Sequence, residues 1–323
     1  MWLLLLVVLG LIFLYRWHRQ SLILENLSDK YVFITGCDTG FGNLLAKQLD
    51  KRGMKVLAAC LTNEGAEDLK KETSSRLQAI ILDVTDSKSV SAAAEKVAAT
   101  VGSKGLWGLV NNAGYALVLA PNEWQKKEDL LKVLNVNLIG MVDVTVHLLP
   151  LVRKSKGRIV NVSSSLGRLS IVGGGYCLSK YGVEAFSDSL RRELREFGIK
   201  VSIIEPGAFK TPMMSSVDAH LNNLKRLWEN LPEETKDCYG KKYYEQFRNG
   251  LKALMGTANS RIYEVTNCME HALTAVHPWT RYSPGWDAKL YYIPVSYLPT
   301  MLSDYLLCRS APKPANEKTS KKY

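Results

Sequence analysis

Short apolar, β-branched runs alternate with amphipathic segments between about residues 30 and 207 of this chain. Runs that are apolar on both faces and bounded by glycine, proline or polar residues are typical of strands in a parallel sheet with both faces covered. The six runs are YVFITG, KVLAACL, LQAIILDVT, GLWGLVNNAG, GRIVNVSSS and KVSIIEPG. The pattern therefore predicts an α/β fold, a single doubly wound domain with a mostly parallel sheet and right-handed crossovers.

Helices are expected between these runs, over FGNLLAKQLDKRG, SKSVSAAAEKVAATVG, about residues 128–151, and from Tyr176 to Gly198. Beyond Lys210 the alternation ends, and helical, mixed-charge segments precede RYSPGWDAKLYYIP, which is expected to form a last strand. We expect the α/β domain to span residues 29–290, with a C-terminal helical substrate lid at about residues 210–255. Routine helix packing is the alternative for the lid segment, and the sequence does not decide between the two.

The chain opens with an uncharged apolar stretch, MWLLLLVVLGLIFLY, followed by basic residues. A helix of this length extends roughly 22 Å, less than the roughly 30 Å hydrocarbon core, but flanking tryptophan and arginine side chains can reach the interfaces. The stretch lacks the basic start and the cleavage box of a signal peptide, so residues 1–17 are expected to be an uncleaved membrane anchor. A polar linker, 18–28, is expected to follow it, and residues 291–323 are expected to form an apolar and then basic tail.

The sequence leaves the membrane face open. Arg16 and Arg19 favour a cytosolic domain by the positive-inside rule, although two charges are a weak signal. Asn26-Leu27-Ser28 is a glycosylation sequon, and its use would place the domain in the lumen.

Charge and residue types narrow the classes of function. The formal net charge of +11 suggests an anionic partner. The chain has no basic arm, aromatic platform or zinc-finger spacing, so membrane lipid or a phosphate-bearing cofactor is expected rather than nucleic acid. The six cysteines and five histidines fall in no CxxC, HxxxH or HExxH group, and no metal site is expected.

The segment TGCDTGFG, residues 35–42, follows the first run and opens a helix. Its glycines permit a tight turn, close approach of a pyrophosphate and close helix–strand packing, while the helix N-terminus attracts the anion. The spacing is G-x-x-x-G-x-G rather than the commoner G-x-G-x-x-G. The predicted cofactor-binding residues of this loop are Gly36, Asp38, Thr39, Gly40, Phe41 and Gly42.

Further cofactor contacts are expected at the carboxyl ends of other strands, where such sheets bind ligands. Asp83, at the end of the third run, is expected to accept a hydrogen bond from adenine, with a helix cap as the equal alternative. The remaining candidates come from NNAG and EPG: Asn112, Ala113, Gly114, Pro206 and Gly207.

Tyr176 and Lys180 lie in GGGYCLSKYG, where three glycines precede a predicted helix. At i, i+4 the two side chains share one helix face. Tyr181 points roughly 100° away from Lys180 and is not expected to take part.

The motifs TGCDTGFG, NNAG, NVNLIG, NVSSSLG, Tyr176-x-x-x-Lys180 and EPG occur in the order found in the short-chain dehydrogenase/reductase family. The resemblance covers about residues 29–290 and implies a Rossmann fold. More narrowly, TGCDTGFGN, GLWGLVNNAG and RYSPGWDAK resemble the microsomal retinol dehydrogenase and 17β-hydroxysteroid dehydrogenase type 6 branch.

The resemblance implies a role for each catalytic candidate. Tyr176 is the general acid/base, and Lys180 tunes it and holds the nicotinamide ribose. Ser164 binds the substrate oxygen, with Ser163 and Ser165 as alternatives. Asn137 holds a water that relays protons to Lys180, or is purely structural.

The physics of the pair agrees with these roles. An ammonium at roughly 4 Å in a medium of effective dielectric about 20 contributes on the order of 4 kcal/mol, or about three pKa units. The expected pKa of Tyr176 is therefore about 7, near the optimum for a general base at neutral pH.

The cofactor is expected to be NAD rather than NADP. The stretch at the end of the second run, Ala58 to Thr62, has neither the acid that binds a ribose hydroxyl nor an arginine for a 2′-phosphate. Asp38 would repel the added phosphate.

The sequence thus predicts an NAD-dependent oxidoreductase in the endoplasmic reticulum (microsomal) membrane. The resemblance implies oxidation of a lipophilic alcohol, retinol or a 3α-/17β-hydroxysteroid, and the apolar chain ends suggest membrane lipid as a second partner. Retinoid or steroid preference, physiological direction and a homodimer stay open. The alternatives are an NADP-dependent carbonyl reductase and an inactive dinucleotide-binding membrane scaffold.

Overall fold

Parallel strands pair into one seven-stranded sheet with the order β3-β2-β1-β4-β5-β6-β7. The computed structural model describes residues 2–116 and 119–315, and the basic end of the predicted tail lies outside them. The strands are β1 (Tyr31–Thr35), β2 (Lys55–Cys60), β3 (Leu77–Ile81), β4 (Gly108–Asn111), β5 (Arg158–Val162), β6 (Lys200–Ile204) and β7 (Arg281–Tyr282). The predicted doubly wound α/β domain is confirmed.

Fourteen α-helices surround or extend the sheet within the described residues. They are α1 (Trp2–Ser21), α2 (Gly40–Lys51), α3 (Asn63–Lys71), α4 (Ser87–Val101), α5 (Lys127–Leu134), α6 (Met141–Ser155), α7 (Gly175–Glu193), α8 (Pro212–Ser215), α9 (Val217–Glu229), α10 (Glu233–Tyr239), α11 (Lys241–Gly256), α12 (Tyr263–Thr274), α13 (Ile293–Ser296) and α14 (Thr300–Cys308). A π-helical turn, Asn135–Gly140, joins α5 to α6.

The core is split by the sheet into two apolar layers. On one side, residues of α2 and α12 such as Leu45 and Met269 pack against strand residues such as Ile34. On the other side, α4 and α6 contribute residues such as Val97 and Leu148. Lys127–Ser155 is the one helical run among the described residues that is long and apolar enough to cross a membrane, and its packing on the sheet identifies it as a core helix.

Two local predictions need correction. RYSPGWDAKLYYIP is not one strand, because only Arg281–Tyr282 pairs with β6, and a π-helical turn and α13 follow from residue 288. Helix α3, between β2 and β3, was not predicted from the sequence. The polar segment NEGAEDLKK has a weak apolar signal, since only Ala66 and Leu69 are buried in it.

The predicted linker, 18–28, is partly helical and in contact with the domain. Helix α1 continues past residue 17 to Ser21, and Ile23 forms an antiparallel bridge with Ala275. The backbone N–H of Leu24 donates to the Thr274 carbonyl (2.8 Å), and that of Val276 donates to the Leu22 carbonyl (2.7 Å). Residues 22–24 are thus tied to the domain by backbone hydrogen bonds.

Candidate active site

A cavity of about 560 Å³ opens at the carboxyl ends of β1, β4 and β5. This edge is where doubly wound sheets bind ligands. Most of the predicted site residues line it: Gly36, Asp38, Thr39, Gly40, Phe41, Asp83, Asn112, Ala113, Gly114, Ser164, Tyr176, Lys180, Pro206 and Gly207. The two that do not, Gly42 and Asn137, lie behind its wall.

The glycine loop fits a pyrophosphate because side chains are excluded from it. Gly36 has a φ of +70°, and a Cβ there would come within 2.8 Å of the Ala113 Cα. A Cβ on Gly42 would collide with the Gly36 carbonyl oxygen and the Asn112 amide. The N-cap residue Thr39 leaves the first N–H groups of α2 without a side-chain acceptor, so they are available to an anion.

Thr35 fastens this loop to NNAG, a role that the sequence analysis missed. Its hydroxyl accepts from the backbone N–H groups of Asn112 and Ala113, both at 3.0 Å. In return the Asn112 side chain donates to the carbonyls of Thr35 (2.9 Å) and Gly36 (3.0 Å). The glycine loop and NNAG are therefore joined directly by four hydrogen bonds.

Asp38 also shapes the turn after β2. Its carboxylate accepts from the backbone N–H groups of Leu61 (2.8 Å) and Thr62 (2.9 Å) and from the Thr62 hydroxyl (2.8 Å). Leu61 and Thr62 line the same cavity, so the negative charge lies where an acid at the end of β2 would otherwise be expected.

Asp83 does not cap the next helix. That cap is Asp86, which accepts from the Lys88 N–H at 3.0 Å, whereas Asp83 accepts from the backbone and hydroxyl of Thr85. Asp83 also lines the cavity, so the adenine contact stays a prediction.

Tyr176 and Lys180 lie on successive turns of α7, as predicted from their spacing. The Lys180 ammonium is 5.6 Å from the centroid of the Tyr176 ring and donates to the Val162 carbonyl at 2.9 Å. Both side chains face the cavity.

The expected pKa near 7 for Tyr176 is wrong for this geometry. Burial raises the pKa of Tyr176 to about 12, and hydrogen bonding with Ser164 offsets only part of the rise. Burial lowers the pKa of Lys180 to about 8, against the charge of Glu184, which raises it. Desolvation therefore outweighs the charge attraction that we assumed for a medium of effective dielectric about 20.

Of the three candidate serines, Ser164 is the one whose side chain interacts with Tyr176. Its oxygen also accepts from the Leu166 N–H at 3.1 Å. Ser163 donates to the Lys180 carbonyl at 3.4 Å and so braces α7. This division of contacts favours Ser164 for the substrate oxygen.

Asn137 lies in the π-helical turn and is nearly fully buried. Its amide oxygen accepts from the Tyr115 N–H (2.7 Å), and its nitrogen donates to the Tyr115 carbonyl (2.9 Å) and to the Ser179 hydroxyl (3.0 Å). These bonds give it a structural role beside the cavity, and the relay role stays a prediction.

Charged residues under the site were also missed in the sequence. Arg281 forms ion pairs with Glu205 (2.6 Å), Asp188 (3.1 Å) and Glu184, which lies one turn beyond Lys180. Asp287 accepts from the Ala208 N–H at 2.7 Å and so fixes the loop that carries Pro206 and Gly207. No local motif marks these residues, because their partners are distant in the chain.

The lid segment forms the apolar part of the cavity. Helices α8, α9 and α11 supply it with side chains that include Met213, Met214, Leu254 and Met255. Behind them an aromatic group surrounds Trp124, which lies 5.1 Å from Trp228 between ring centroids. An apolar molecule can thus be bound next to Tyr176 and Ser164.

Comparison with known proteins gives consistent results. The family model described as short chain dehydrogenase matches residues 30–222. Retinol dehydrogenase 7 of Rattus norvegicus is 56% identical, and the match covers 98% of this chain and 99% of that protein. For 17-beta-hydroxysteroid dehydrogenase type 6 of Homo sapiens the identity is 55%, with the same coverage.

Solved structures of short-chain dehydrogenases and reductases share this fold. A short-chain dehydrogenase from Streptomyces avermitilis has a TM-score of 0.68 and 27% identity, covering 82% of this chain and 92% of that one. A 3-ketoacyl-(acyl-carrier-protein) reductase from Brucella melitensis, complexed with NADH, has a TM-score of 0.54 and 28% identity over 58% of this chain and 78% of that one.

Proposed function

This chain belongs to the short-chain dehydrogenase family, whose fold binds a nicotinamide dinucleotide, and from that premise we propose an NAD-dependent enzyme that oxidises lipophilic alcohols. The proposed substrates are retinol and 3α- or 17β-hydroxysteroids. One observation carries the proposal: the glycine loop, the Tyr176–Ser164 pair and an apolar wall all line a single cavity.

The proposed chemistry assigns a step to each polar side chain. Ser164 donates a hydrogen bond to the substrate oxygen and orients the carbinol carbon. Tyr176 would remove the hydroxyl proton as the general base once the positive charges of Lys180 and of the bound oxidised dinucleotide lower its pKa. When bound, an oxidised dinucleotide would supply the hydride acceptor and a positive charge. The residues that would hold it are those of the glycine loop, NNAG, Lys180 and the Pro206–Gly207 turn.

The apolar wall supports a lipophilic substrate. Methionine and leucine side chains from the lid can adapt to a large hydrocarbon skeleton without offering polar partners. Two relatives at 55–56% identity are named for retinol and 17β-hydroxysteroid substrates, in agreement with such a pocket.

Preference for NAD is part of the proposal. The carboxylate of Asp38 already binds the end of β2, so its charge would meet a 2′-phosphate on the adenosine ribose. Coulomb repulsion in a partly desolvated site opposes NADP.

We also propose attachment to the endoplasmic reticulum membrane. The described part of α1 exposes apolar side chains such as Phe13 and Trp17, and α14 exposes Met301 and Tyr305. Tyr292, just before α13, lines the cavity, so the apolar C-terminal segment adjoins the substrate site. A substrate dissolved in the bilayer could enter from this side.

The test is turnover of a panel of retinol and hydroxysteroids by membranes containing the full chain, with NAD⁺ or NADP⁺. We expect NAD⁺-dependent oxidation, lost by at least about a thousandfold in Tyr176→Phe. Tyr181→Phe, on the same helix but 44% exposed, is the matched control and should retain activity.

Other outcomes identify the alternatives. A wild type that works mainly with NADPH on ketones is the carbonyl reductase. A wild type without turnover that still binds dinucleotide is the scaffold, and undiminished activity of Tyr176→Phe would remove that residue from the mechanism.

A further inference from the structure

A second groove, separate from the catalytic cavity, opens on the surface at the amino ends of β6 and β7. Its volume is about 650 Å³. Residues from three segments line it: 191–199 at and after the end of α7, 200–202 at the start of β6, and 278–280 just before β7. The proposed oxidation uses none of these residues.

The groove carries a net positive charge. Arg191 and Arg192 share one acid, Asp188, at 3.2 and 3.9 Å, and Asp188 is also paired with Arg281. The guanidinium of Arg195 is exposed and has no hydrogen bond or ion pair within the described part of the chain. The charged residues that line the groove are four cations and one acid: Arg191, Arg192, Arg195, Lys200 and Glu196.

The end of α1 adds positive charge beside the groove. Arg19 lies 3.2 Å from His277 (Nη2 to Nδ1), which directly precedes the third lining segment. The Lys200 ammonium donates to the Val276 carbonyl at 2.6 Å, and it has no acid partner among the described residues. Burial and the charges of Arg158 and Arg19 lower the pKa of Lys200. These cations therefore repel one another, and an anion bound beside them would offset that repulsion.

The position of Arg19 on α1 sets the depth of the groove relative to a membrane. The uncharged stretch of the proposed anchor ends at Tyr15, and Arg19 follows four residues later, about 6 Å along a helix. The headgroup region extends roughly 5–8 Å beyond the hydrocarbon core on each side. Trp17 and Trp279 are exposed here, and tryptophan is enriched at this interface. A membrane that holds α1 thus brings its headgroups to the groove.

We propose that this groove binds the headgroup of an anionic phospholipid. The inference rests on the proposed attachment by α1 and adds a binding site that an apolar anchor does not require. Guanidinium groups bind phosphate oxygens through paired, charge-assisted hydrogen bonds, and basic side chains near a membrane surface attract anionic lipids. A zwitterionic headgroup also has a phosphate, but its cationic end would be repelled by the same arginines.

The experiment measures which phospholipid the purified full chain retains in neutral detergent, by native mass spectrometry. The detergent contains equal amounts of phosphatidylinositol, which is anionic, and phosphatidylcholine, which is zwitterionic, with identical acyl chains. We expect the wild type to retain phosphatidylinositol over phosphatidylcholine by about tenfold, given the number of basic groups at the groove.

Two double variants separate the groove from the overall charge of the chain. Arg192→Gln/Arg195→Gln removes two exposed cations from the groove and should reduce the preference to about twofold. Arg248→Gln/Lys252→Gln removes the same charge from exposed positions of α11 and should keep the wild-type preference. Both should unfold at the wild-type temperature in the absence of lipid and retain wild-type turnover.

The other outcomes overturn the inference in distinct ways. Equal retention of the two lipids by the wild type would show that the groove does not select an anionic headgroup. A similar loss of preference in both double variants would indicate a general effect of net charge. Inorganic phosphate is the remaining probe. If it raised the thermal stability of the wild type as much as phosphatidylinositol does, and not that of Arg192→Gln/Arg195→Gln, the site would bind a free anion.

Failure of this inference can be told from failure of the proposed function, because lipid retention does not depend on turnover. A wild type that prefers phosphatidylinositol and oxidises no alcohol would overturn the proposed oxidation and leave the headgroup site standing. Release of the full chain from membranes by alkaline carbonate would overturn the attachment, and this inference with it.

Discussion

At the level of single residues, the buried ammonium group of Lys180 is the clearest case in which a proposed functional group lowers the stability of the fold. The Val162 carbonyl is its one hydrogen-bond acceptor among the described residues, and burial lowers its pKa from 10.5 to about 8. A shift of this size corresponds to about 3 kcal/mol of unfolding free energy at neutral pH. Because the unfolded chain binds the proton more readily, stability should rise as pH increases from about 8 to 10.5.

Lys180→Met should therefore be more stable than the wild type at pH 7, by roughly 1–3 kcal/mol, and inactive. The gain should shrink at pH 9.5, where the wild-type lysine has largely lost its charge. Denaturant unfolding of the full chain in detergent at both pH values measures this, with exposed Lys96→Met as the control. A variant less stable at both pH values would show that the hydrogen bond outweighs desolvation.

Residues that repeat a family motif could be identified from the sequence, and their partners could not. Tyr176, Lys180 and Ser164 sit in short motifs, and the family resemblance of those motifs implied a role for each of them. Thr35 and Asp287 act through contacts with chain segments remote in sequence, which only folding brings together. The pKa of Tyr176 was misjudged for a related reason, because burial cannot be seen in i, i+4 spacing.

At the level of elements, the π-helical turn Asn135–Gly140 interrupts what the sequence presents as one long helix. The turn adds a residue to the helical repeat and directs Asn137 toward Tyr115. A Cβ on Gly140 would collide with the Val84 carbonyl oxygen and approach that of Asn135 to 2.9 Å. Glycine lets this turn approach the loop after β3.

Gly140→Ala should destabilise the protein by about 1–3 kcal/mol and lower kcat, since Asn137 moves with the turn. Thermal unfolding and initial rates of the full chain measure both effects. Ile139→Ala, a change at a 57% exposed neighbour, is the control for altering this turn. Equal stability of Gly140→Ala and wild type would mean that the turn adjusts freely around the added methyl group.

Strongly patterned elements were predicted well, and the failures have physical causes. The six runs became β1–β6 because buried parallel strands are apolar on both faces. Helix α3 was missed because it buries few residues and so gives little apolar pattern. Its first turn is stabilised instead by its N-cap Thr62, whose hydroxyl accepts from the Gly65 N–H at 3.0 Å. The last strand was predicted to be too long because YYIP has a high β-propensity. In the structure the chain beyond Tyr282 is helical instead, since tertiary packing overrides that propensity.

Across the whole molecule, Arg281 joins three parts of the chain. From β7 it contacts carboxylates on α7 (Glu184 and Asp188) and at the end of β6 (Glu205), the last of which also binds Arg168 at 3.0 Å. Arg168 in turn donates to the Tyr297 hydroxyl at 2.8 Å. Helix α7, the loop after β6 and the C-terminal segment are thus held by one charge network.

Arg281→Met should cost about 3 kcal/mol of unfolding free energy, because buried carboxylates lose their counter-ion. Burial raises the pKa of Glu184, so lowering the pH from 7 to 5 should neutralise it in the variant and recover part of the loss. Urea unfolding at the two pH values tests this, with exposed Arg248→Met as the control. If the loss of unfolding free energy in Arg281→Met became larger at pH 5 than at pH 7, the uncompensated charge of Glu184 would not be its cause.

The pairing of Leu22–Leu24 with Thr274–Val276 determines where the chain can be shortened for crystallisation. A version cut at residue 29 would remove this antiparallel partner and also the Gln20 carbonyl, which lies 2.9 Å from the His271 ring. The exposed backbone edge after α12 would then be free to pair with another molecule and aggregate. A soluble product is better begun at residue 19, which omits the apolar part of α1 yet retains every bond that ties its end to the domain.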